Sequence, residues 1–342
     1  MQPARREVDL DRGRTQYHRG TTDLFTFLPM AAYHPIHVAV FGAGAVGCYF
    51  GAKLAAAGTA VTVIARPAAA AALGRDGIRV LQAGGEWRAP VAVATDASGV
   101  AQADLVLVAV KSPDSAAAAV ALAPHLRADA RVLCLQNGVD NAVTIGTPLS
   151  QPTYAAVVYV GAQMDAPGLV RHLGRGDLVI GSPHGLNAGA DTAGDVQAMA
   201  ALFARAGVPC VVAPDIDAAL WSKLAVNCGL NAVSALGQAR YARILDVPAA
   251  CAVVEAAIVE TVAVARADGV HLDPQAMIAN TWTITTAMPQ QSSSTAQDLE
   301  RGKATEIDAL NGFVVRRGAA LGVPTPVNAT LHALVKLRES QG

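Results

Sequence analysis

A glycine motif near the start of the chain constrains the fold more than any other feature. The apolar stretch IHVAVF (36–41) leads directly into GAGAVG (42–47), and an Ala-rich stretch follows as far as Gly58. A second apolar stretch, AVTVIA (60–65), comes next. A strand, a GxGxxG turn, a helix and a second strand form a βαβ unit that binds the pyrophosphate of a dinucleotide.

The positions of this motif have separate tasks. Gly42 permits the tight turn, Gly44 lets the backbone approach a pyrophosphate, and Gly47 lets the helix pack on the strand. The phosphates lie at the positive N-terminus of the helix, where Ala45 and Val46 stand. A glycine-rich turn without a ligand is the alternative interpretation, and the strand and helix on either side argue against it.

The residue that ends the second strand of such a unit discriminates between dinucleotides. NAD-specific folds usually carry Asp or Glu there, which accepts hydrogen bonds from the ribose 2′-hydroxyl. This chain has Arg66 instead. A guanidinium suits a 2′-phosphate, so the position predicts NADPH/NADP⁺ as the cofactor; the alternative is an exposed arginine without a ligand.

The rest of the chain divides into two patterns. Up to Pro214, further strands are predicted at 105–110, 131–135, 154–160 and 209–213, a hairpin around 168–181, and helices at 114–125 and 190–206. After Pro214 the periodicity is helical, with segments at 215–237, 248–268, 273–288, 303–321 and 327–339. This predicts an α/β chain with a Rossmann-type doubly wound sheet domain over 35–214, followed by an all-helical domain over 215–342.

The first 34 residues differ from the remainder of the chain. Five arginines alternate with acidic residues, and no apolar stretch comes after them that resembles a signal peptide. We therefore expect residues 1–34 to be a disordered N-terminal extension.

Composition excludes several classes of partner. A net charge of -1 provides no broad positive field for nucleic acid or an anionic membrane. No uncharged apolar run reaches the roughly 18 residues that span a bilayer. The five cysteines lack CxxC spacing and the eight histidines lack metal spacing, so we expect reduced thiols, no metal site and a cytoplasmic protein.

Two polar residues follow predicted strands at the carboxyl ends, where ligands bind in doubly wound sheets. Lys111 closes the run LVLVAV, and Asn137 follows RVLCLQ. We expect the side chains of Lys111 and Asn137 to converge on the nicotinamide end of the cofactor. The alternative for Asn137 is that it only forms a turn.

The helical half contains a second polar constellation. Lys223, Asn227 and Asn231 are four residues apart in LWSKLAVNCGLNAVSAL, so they turn only about 80° around a helix axis and share one face. If these side chains were buried without hydrogen-bond partners, their desolvation would cost several kcal/mol. This favours a hydrated cleft that binds a polar ligand; the alternative is that the face is simply exposed to solvent.

Two further polar groups lie towards the C-terminus. Glu306 is expected to begin a helix and to lie on the apolar stripe of that helix, because Leu310 and Phe313 follow at i+4 and i+7. The alternative is that its carboxylate only complements the helix dipole. Ser294 lies in a polar SSS loop, either as a ligand-binding hydroxyl or as part of a flexible linker.

Together these motifs resemble the ketopantoate reductase family. The GxGxxG, the strand-end Lys and NG, LWxKLxxNxxxN, and the SS..QD stretch followed by TEID..NGF occur in the family's order over roughly 36–340. The resemblance implies NADPH-dependent reduction of 2-dehydropantoate (ketopantoate) to (R)-pantoate, a step of pantothenate biosynthesis. One departure is Ser112-Pro113-Asp114 after the strand-end Lys, where members often carry an aromatic residue and a Gln.

The resemblance also implies residue roles. Lys223 would be the general acid and Glu306 a substrate-binding, catalytically important carboxylate. Asn227, Asn231 and Ser294 would form hydrogen bonds to the substrate. Lys111 and Asn137 would lie at the cofactor–substrate junction, and Arg66 would contact the 2′-phosphate.

Two other functions remain open at this point. A related 2-hydroxy-acid dehydrogenase of the D-mandelate type would share the fold and site but act on another small 2-oxo acid. A non-enzymatic NADP(H)-binding protein would leave the inward-facing Lys, Asn and Glu residues without a purpose. Monomer and homodimer are both compatible with the sequence.

Overall fold

The computed structural model describes residues 36–186 and 191–341. The predicted extension over 1–34 lies outside these residues. The strands are β1 (His37–Phe41), β2 (Ala60–Ile64), β3 (Ile78–Gln82), β4 (Gly85–Ala89), β5 (Ala92–Ala94), β6 (Leu105–Val108), β7 (Arg131–Cys134), β8 (Thr153–Ala166), β9 (Leu169–Gly181) and β10 (Cys210–Val212).

The helices alternate with the strands at first and then follow one another. They are α1 (Ala45–Ala56), α2 (Pro67–Asp76), α3 (Ser115–Leu122), α4 (Asn141–Gly146), α5 (Thr192–Arg205), α6 (Ile216–Gly237), α7 (Tyr241–Leu245), α8 (Pro248–Ala267), α9 (Pro274–Ala287), α10 (Ser294–Glu300), α11 (Asn311–Leu321) and α12 (Pro326–Glu339). The predicted α/β fold class, a sheet region followed by helices, is confirmed.

The strands form one sheet in the order β4-β3-β9-β8-β7-β6-β1-β2-β5, with β10 beside β9. β1 pairs in parallel with β2 on one side and β6 on the other. The chain therefore leaves β1 in one direction and returns on its other side, which creates a switch point at the carboxyl end of β1. The glycine turn lies at this point.

The predicted hairpin is longer than the sequence indicated. β8 and β9 run antiparallel over most of their length, and their register shifts at three places. The sequence predicts a strand at 154–160 and a separate hairpin around 168–181, whereas in the structure the hairpin consists of Thr153–Ala166 and Leu169–Gly181. Within β9, Gly174 pairs with Gly161, whereas Gly176 has no partner in β8 and forms a bulge.

Both faces of the sheet are covered. Phe50 of α1 and Phe203 of α5 pack with Tyr154 on one face. Leu122 of α3 and Ile145 of α4 pack on the other. Strands buried on both faces read as continuous apolar runs, which is why the sequence showed them so clearly.

Helix α6 joins the sheet to the helical half. Its first residue, Ile216, is buried against the sheet next to Gly181, and its later turns pack on α8 through Gly229. Of the described helices, α8 has the length and apolar composition that could cross a membrane, and 39% of its 18-residue apolar stretch is buried in the fold. The face of α8 that meets α6 is apolar, as in a core helix.

The prediction of a single helix over 303–321 is wrong. α10 ends at Glu300, a 3-10 turn spans Ile307–Ala309, and α11 begins only at Asn311. Side chains replace the helical carbonyls here, because the N–H of Thr305 donates to Glu339 (2.8 Å) and that of Ile307 donates to the Thr305 hydroxyl (3.2 Å). Glu306 therefore precedes a 3-10 turn and does not begin an α-helix.

Candidate active site

The glycine turn between β1 and α1 is tightly packed on one side and open on the other. Gly42 has a φ of +118°, and a Cβ there would lie 2.7 Å from the Ala109 carbonyl carbon. A Cβ on Gly47 would lie 2.2 Å from the Gly42 oxygen. At Gly44, the nearest atom to a Cβ would be the Ala109 oxygen at 3.9 Å, and the residue is exposed. The turn is thus open to solvent at Gly44, the position that the sequence predicts to lie against a pyrophosphate.

Arg66 directly follows β2 and is the N-cap residue of α2. Its side chain is 92% exposed, and its guanidinium lies 3.8 Å from the Asp114 carboxylate. The arginine is therefore accessible to an anion from solvent. Asp114 belongs to the SPD segment that departs from the family pattern, and its negative charge opposes binding of a phosphate at this place.

Lys111 does not meet Asn137 in the structure. Its ammonium donates to Asp298 of α10 (3.0 Å) and to the Ala304 carbonyl (2.7 Å). These partners belong to the helical half, so Lys111 bridges the sheet edge to the loop that carries Glu306. Its expected place at the nicotinamide end of the cofactor remains a prediction.

Lys223 lies at the centre of a polar network. α6 carries it to the sheet edge, where its ammonium donates to the Asn137 side-chain oxygen (2.8 Å) and to the Val158 carbonyl (2.6 Å). The Asn137 amide nitrogen donates in turn to Glu306 (3.0 Å). One asparagine from the sheet edge therefore links the lysine and the carboxylate that the sequence singled out.

Glu306 has a second partner, which sequence analysis missed. Its other oxygen accepts hydrogen bonds from the backbone N–H and the hydroxyl of Ser112, both at 3.2 Å. The Ser112 hydroxyl also lies 2.9 Å from the Asn137 carbonyl. The departure at Ser112 thus produces a direct contact to Glu306, although no local pattern in the sequence pairs residues that are 194 positions apart.

Burial changes the acidity of the lysine. Removal from water lowers the pKa of Lys223 to about 8, because the charged ammonium is disfavoured there, and the nearby positive charge of Arg175 adds to this effect. The negative charge of Glu306 acts in the opposite direction and raises the pKa. A lysine with a pKa near neutrality can exchange a proton with a substrate at physiological pH.

A small pocket lies between the sheet edge and α6. It is lined by Gln136, Asn137, Gly138, Ala156, Val157, Leu220, Lys223, Leu224 and Asn227. The Gln136 amide nitrogen donates to Ser115, whereas its buried side-chain oxygen has no partner among the described residues. An unpaired buried acceptor in the wall of a pocket provides a contact for a donor on a ligand.

The predicted substrate-binding residues do not all take the expected positions. Asn227 lines the pocket beside Lys223, whereas Asn231 is buried one turn further along α6 (5% exposed). Ser294 is exposed and begins α10 instead of lying in a loop. The neighbouring Ser293 is buried; its hydroxyl caps α10 and donates to the Asn231 carbonyl.

Two sections of the chain match families of known proteins. Residues 38–185 match the family described as "Ketopantoate reductase PanE/ApbA". Residues 215–339 match "Ketopantoate reductase PanE/ApbA C terminal". These ranges correspond to the sheet region and the helical region of the structure.

Individual relatives agree with this match. The chain is 36% identical over 310 residues to a 2-dehydropantoate 2-reductase of Halobacterium salinarum, which covers 90% of this chain and 100% of the relative. A crystal structure of a PanE/ApbA family ketopantoate reductase from Ralstonia eutropha is 47% identical, with a TM-score of 0.82, and the match covers 90% of this chain and 99% of that one.

A D-mandelate dehydrogenase solved with NADH and anilino(oxo)acetate has the same fold. The TM-score is 0.83 at 24% identity, over 90% of this chain and 99% of that one. At this identity the likeness concerns the fold alone. The family matches and the relatives above show that this chain belongs to the PanE/ApbA ketopantoate reductase family.

Proposed function

We propose that this chain is an oxidoreductase that reduces 2-dehydropantoate to (R)-pantoate with NADPH, a step of pantothenate biosynthesis. The observation that carries the proposal is the Lys223–Asn137–Glu306 network, which lies at the carboxyl edge of the sheet in a member of this family. We also propose that residues 35–214 form the cofactor domain and residues 215–342 the substrate domain, with α6 as the helix between them.

The residues present fit a dinucleotide. The open position at Gly44 would receive the pyrophosphate, with Ala45 and Val46 at the start of α1 and Gly42 and Gly47 holding the turn in shape. The exposed Arg66 would bind a 2′-phosphate. When bound, the cofactor supplies a hydride to the ketone carbon of the substrate.

Lys223 is the proton donor in this proposal. As the ketone oxygen of the substrate becomes an alkoxide, an ammonium beside it stabilises the negative charge and delivers a proton. Asn137 and the Val158 carbonyl accept hydrogen bonds from the same ammonium and so fix its position. The lowered pKa of Lys223 makes the proton easier to transfer at neutral pH.

The remaining polar groups would hold the substrate. Glu306 is suited to accept a hydrogen bond from the substrate hydroxyl, because its carboxylate is held by Ser112 and Asn137 at the same edge. Asn227 lines the pocket next to Lys223 and would donate to or accept from a substrate oxygen. Asn231 and Ser294 keep substrate-binding roles in the proposal. Ser294 is exposed, whereas the buried Asn231 has to become accessible when substrate enters.

The location and partners of the protein follow from the same class of function. The five cysteines are all unpaired thiols, which agrees with a reducing compartment, and we infer a cytoplasmic enzyme acting on a small 2-oxo acid. We infer no nucleic-acid or membrane partner. Monomer and homodimer remain alternatives.

The test is an NADPH-oxidation assay with ketopantoate beside phenylglyoxylate, the 2-oxo acid that corresponds to mandelate. We expect turnover of ketopantoate with a kcat/KM well above that of phenylglyoxylate, and NADPH preferred over NADH. A preference for phenylglyoxylate would favour the D-mandelate-type alternative. Absence of turnover with either acid, despite NADPH binding, would favour the non-enzymatic alternative.

A further inference from the structure

A bulge in β9 produces an unusual backbone next to the proposed proton donor. The register with β8 shifts between Tyr159 and Val160, which pair with Asp177 and Arg175, so Gly176 has no partner in the ladder. Arg175 has a φ of +53° and is flanked by two glycines that also have positive φ. This conformation is uncommon for a residue with a Cβ, and bulges often redirect a side chain beside an active site.

The bulge directs Arg175 over an aromatic ring. Its guanidinium carbon lies 4.2 Å from the centre of the Tyr159 ring, which is a cation–π contact. Asp177 accepts hydrogen bonds from its Nε and Nη2 atoms at 3.0 and 2.6 Å. The side chain is 52% exposed, and its Nη1 atom has no hydrogen-bond partner among residues 36–186 and 191–341.

Lys223 lies close to the same aromatic ring of β8. Its ammonium donates to the Val158 carbonyl and lies 5.6 Å from the centre of the Tyr159 ring. The Arg175 guanidinium carbon and the Lys223 ammonium are therefore at most about 10 Å apart, because they lie 4.2 and 5.6 Å from the centre of one ring. Among the described residues, Arg175 and Glu306 are the charged groups that act on the Lys223 ammonium.

We propose that Arg175 is a specificity-determining residue that binds the carboxylate of the 2-oxo acid through its free Nη1 edge. This inference rests on the proposed function. A 2-oxo acid carries its carboxylate on the carbon next to the ketone, so one molecule can present the ketone oxygen to Lys223 and the carboxylate to Arg175. Two hydrogen bonds of about 3 Å and the roughly 3 Å between the ketone and carboxylate oxygens cover about 9 Å, which is close to the upper limit on the separation of the two cations.

Two other cations near the site are already engaged, whereas Arg175 keeps one donor edge free beside its ion pair with Asp177. Lys111 is bound to Asp298 and the Ala304 carbonyl, and Lys223 is required at the ketone oxygen. Asp177 holds the far edge of the Arg175 guanidinium, which fixes its orientation and leaves the remaining edge for an anion. The Tyr159 ring lies 4.2 Å from the guanidinium carbon and covers the guanidinium on one side.

The test compares a charged with an uncharged substrate. Arg175→Gln removes the charge but keeps a side chain at the same backbone position, so it adds no strain that the native residue lacks. With ketopantoate we expect KM to rise about 10- to 100-fold, the usual effect of losing a hydrogen bond to a charged group. With the carboxamide of ketopantoate, which has no negative charge, we expect a change below about 2-fold; Arg175→Lys should retain part of the affinity for the acid.

Arg171→Gln is the matched control. Arg171 lies in the same strand, is 45% exposed and pairs with Asp165, so this variant makes the same change of charge within the same hairpin. We expect no change with either substrate. Equal losses of acid and amide turnover in Arg175→Gln would indicate a structural role and overturn the inference, as would an unchanged KM for the acid.

A failure of the proposed function is distinguishable from a failure of this inference. If the wild-type protein reduces no 2-oxo acid, the proposed function fails, and binding of oxamate to the NADP⁺-loaded protein then tests Arg175. Weaker oxamate binding in Arg175→Gln than in wild type and Arg171→Gln supports the inference. Equal binding in all three proteins, or no binding to wild type, overturns it.

Discussion

The glycine turn and the Lys223 network differ in how far apart their residues lie in the chain. The turn uses six consecutive residues, GAGAVG, between a strand and a helix. The network joins Lys223, Asn137, Ser112 and Glu306, with up to 194 residues between partners. A local site depends on backbone conformation, whereas a site assembled from distant segments depends on how the two halves of the chain pack together.

The two kinds of site should respond differently to substitution. Single changes in the network should affect turnover while leaving cofactor binding intact. A single substitution in the turn should destabilise the fold where the added Cβ meets other protein atoms. Where the added Cβ points into open space, it should weaken cofactor binding instead.

The largest effect is expected for Lys223→Ala. We expect kcat to fall by about 10²- to 10⁴-fold, the usual contribution of a positioned general acid, with NADPH affinity nearly unchanged. Steady-state kinetics and NADPH titration measure both. Lys53→Ala in α1 is the control and should behave like wild type. Near-normal kcat, or a loss of NADPH binding, would show that α6 does not present Lys223 to the reacting carbonyl.

Glu306→Gln should be the next most damaging change. The isosteric amide removes the charge, and we expect kcat/KM for ketopantoate to fall about 10- to 100-fold, mainly through KM. Asp308→Asn, two residues away, is a useful comparison because Asp308 bonds to His332 and Lys336 instead of to the network. If both variants lose turnover equally, the loop matters as a structural unit and the specific role of Glu306 is contradicted.

Two glycine variants separate fold from cofactor binding within the turn. Gly44→Ala should fold with a normal melting temperature, because its Cβ has room, but should bind NADPH about 10-fold more weakly. Gly42→Ala places a Cβ 2.7 Å from backbone atoms at a positive φ, so it should lower the melting temperature by several degrees. Equal behaviour of the two variants in thermal unfolding and NADPH titration would refute this distinction.

The pH dependence should report the buried lysine. Because burial lowers the pKa of Lys223 to about 8, kcat/KM for reduction should fall above that pH, by about 10-fold per unit once the ammonium is lost. Oxidation of pantoate needs the neutral amine and should increase over the same range. Arg175→Gln should move the alkaline limb to higher pH and Glu306→Gln to lower pH, since their charges lower and raise this pKa. A flat profile between pH 7 and 10 would exclude Lys223 as the donor.

The smallest effect is expected at Arg66, which is exposed. Arg66→Glu should reduce the preference for NADPH over NADH by about 10-fold or reverse it, through loss of attraction and added repulsion. Asp114→Asn should act in the opposite direction, with a gain in NADPH affinity of about 2-fold, because it removes a negative charge 3.8 Å from Arg66. Equal use of both cofactors by wild type would contradict the assignment of Arg66.

Much of the fold could be predicted from the sequence because its signals are local. Buried parallel strands appear as uninterrupted apolar runs, and the glycine motif specifies a backbone conformation within six residues. Lys223 and Asn227 could be placed on one face of a helix because helical geometry relates residues four positions apart. The prediction of a helix through Glu306 was wrong because a distant residue decides the local structure. Glu339 on α12 accepts the hydrogen bond from the Thr305 N–H and so keeps Thr305 out of a helix.

The sequence by itself determined the type of fold, the glycine turn between a strand and a helix, and which polar residues stand at strand ends or on helix faces, because each depends on neighbours along the chain. Only the tertiary structure decided which of these residues meet. It paired Asn137 with Lys223 and Glu306, brought Ser112 to the same carboxylate, directed Lys111 to α10, and placed Arg175 over Tyr159. Such contacts depend on strand order, on the register of a bulge and on the path of α6 across the sheet edge, which arise from packing between segments distant in the sequence.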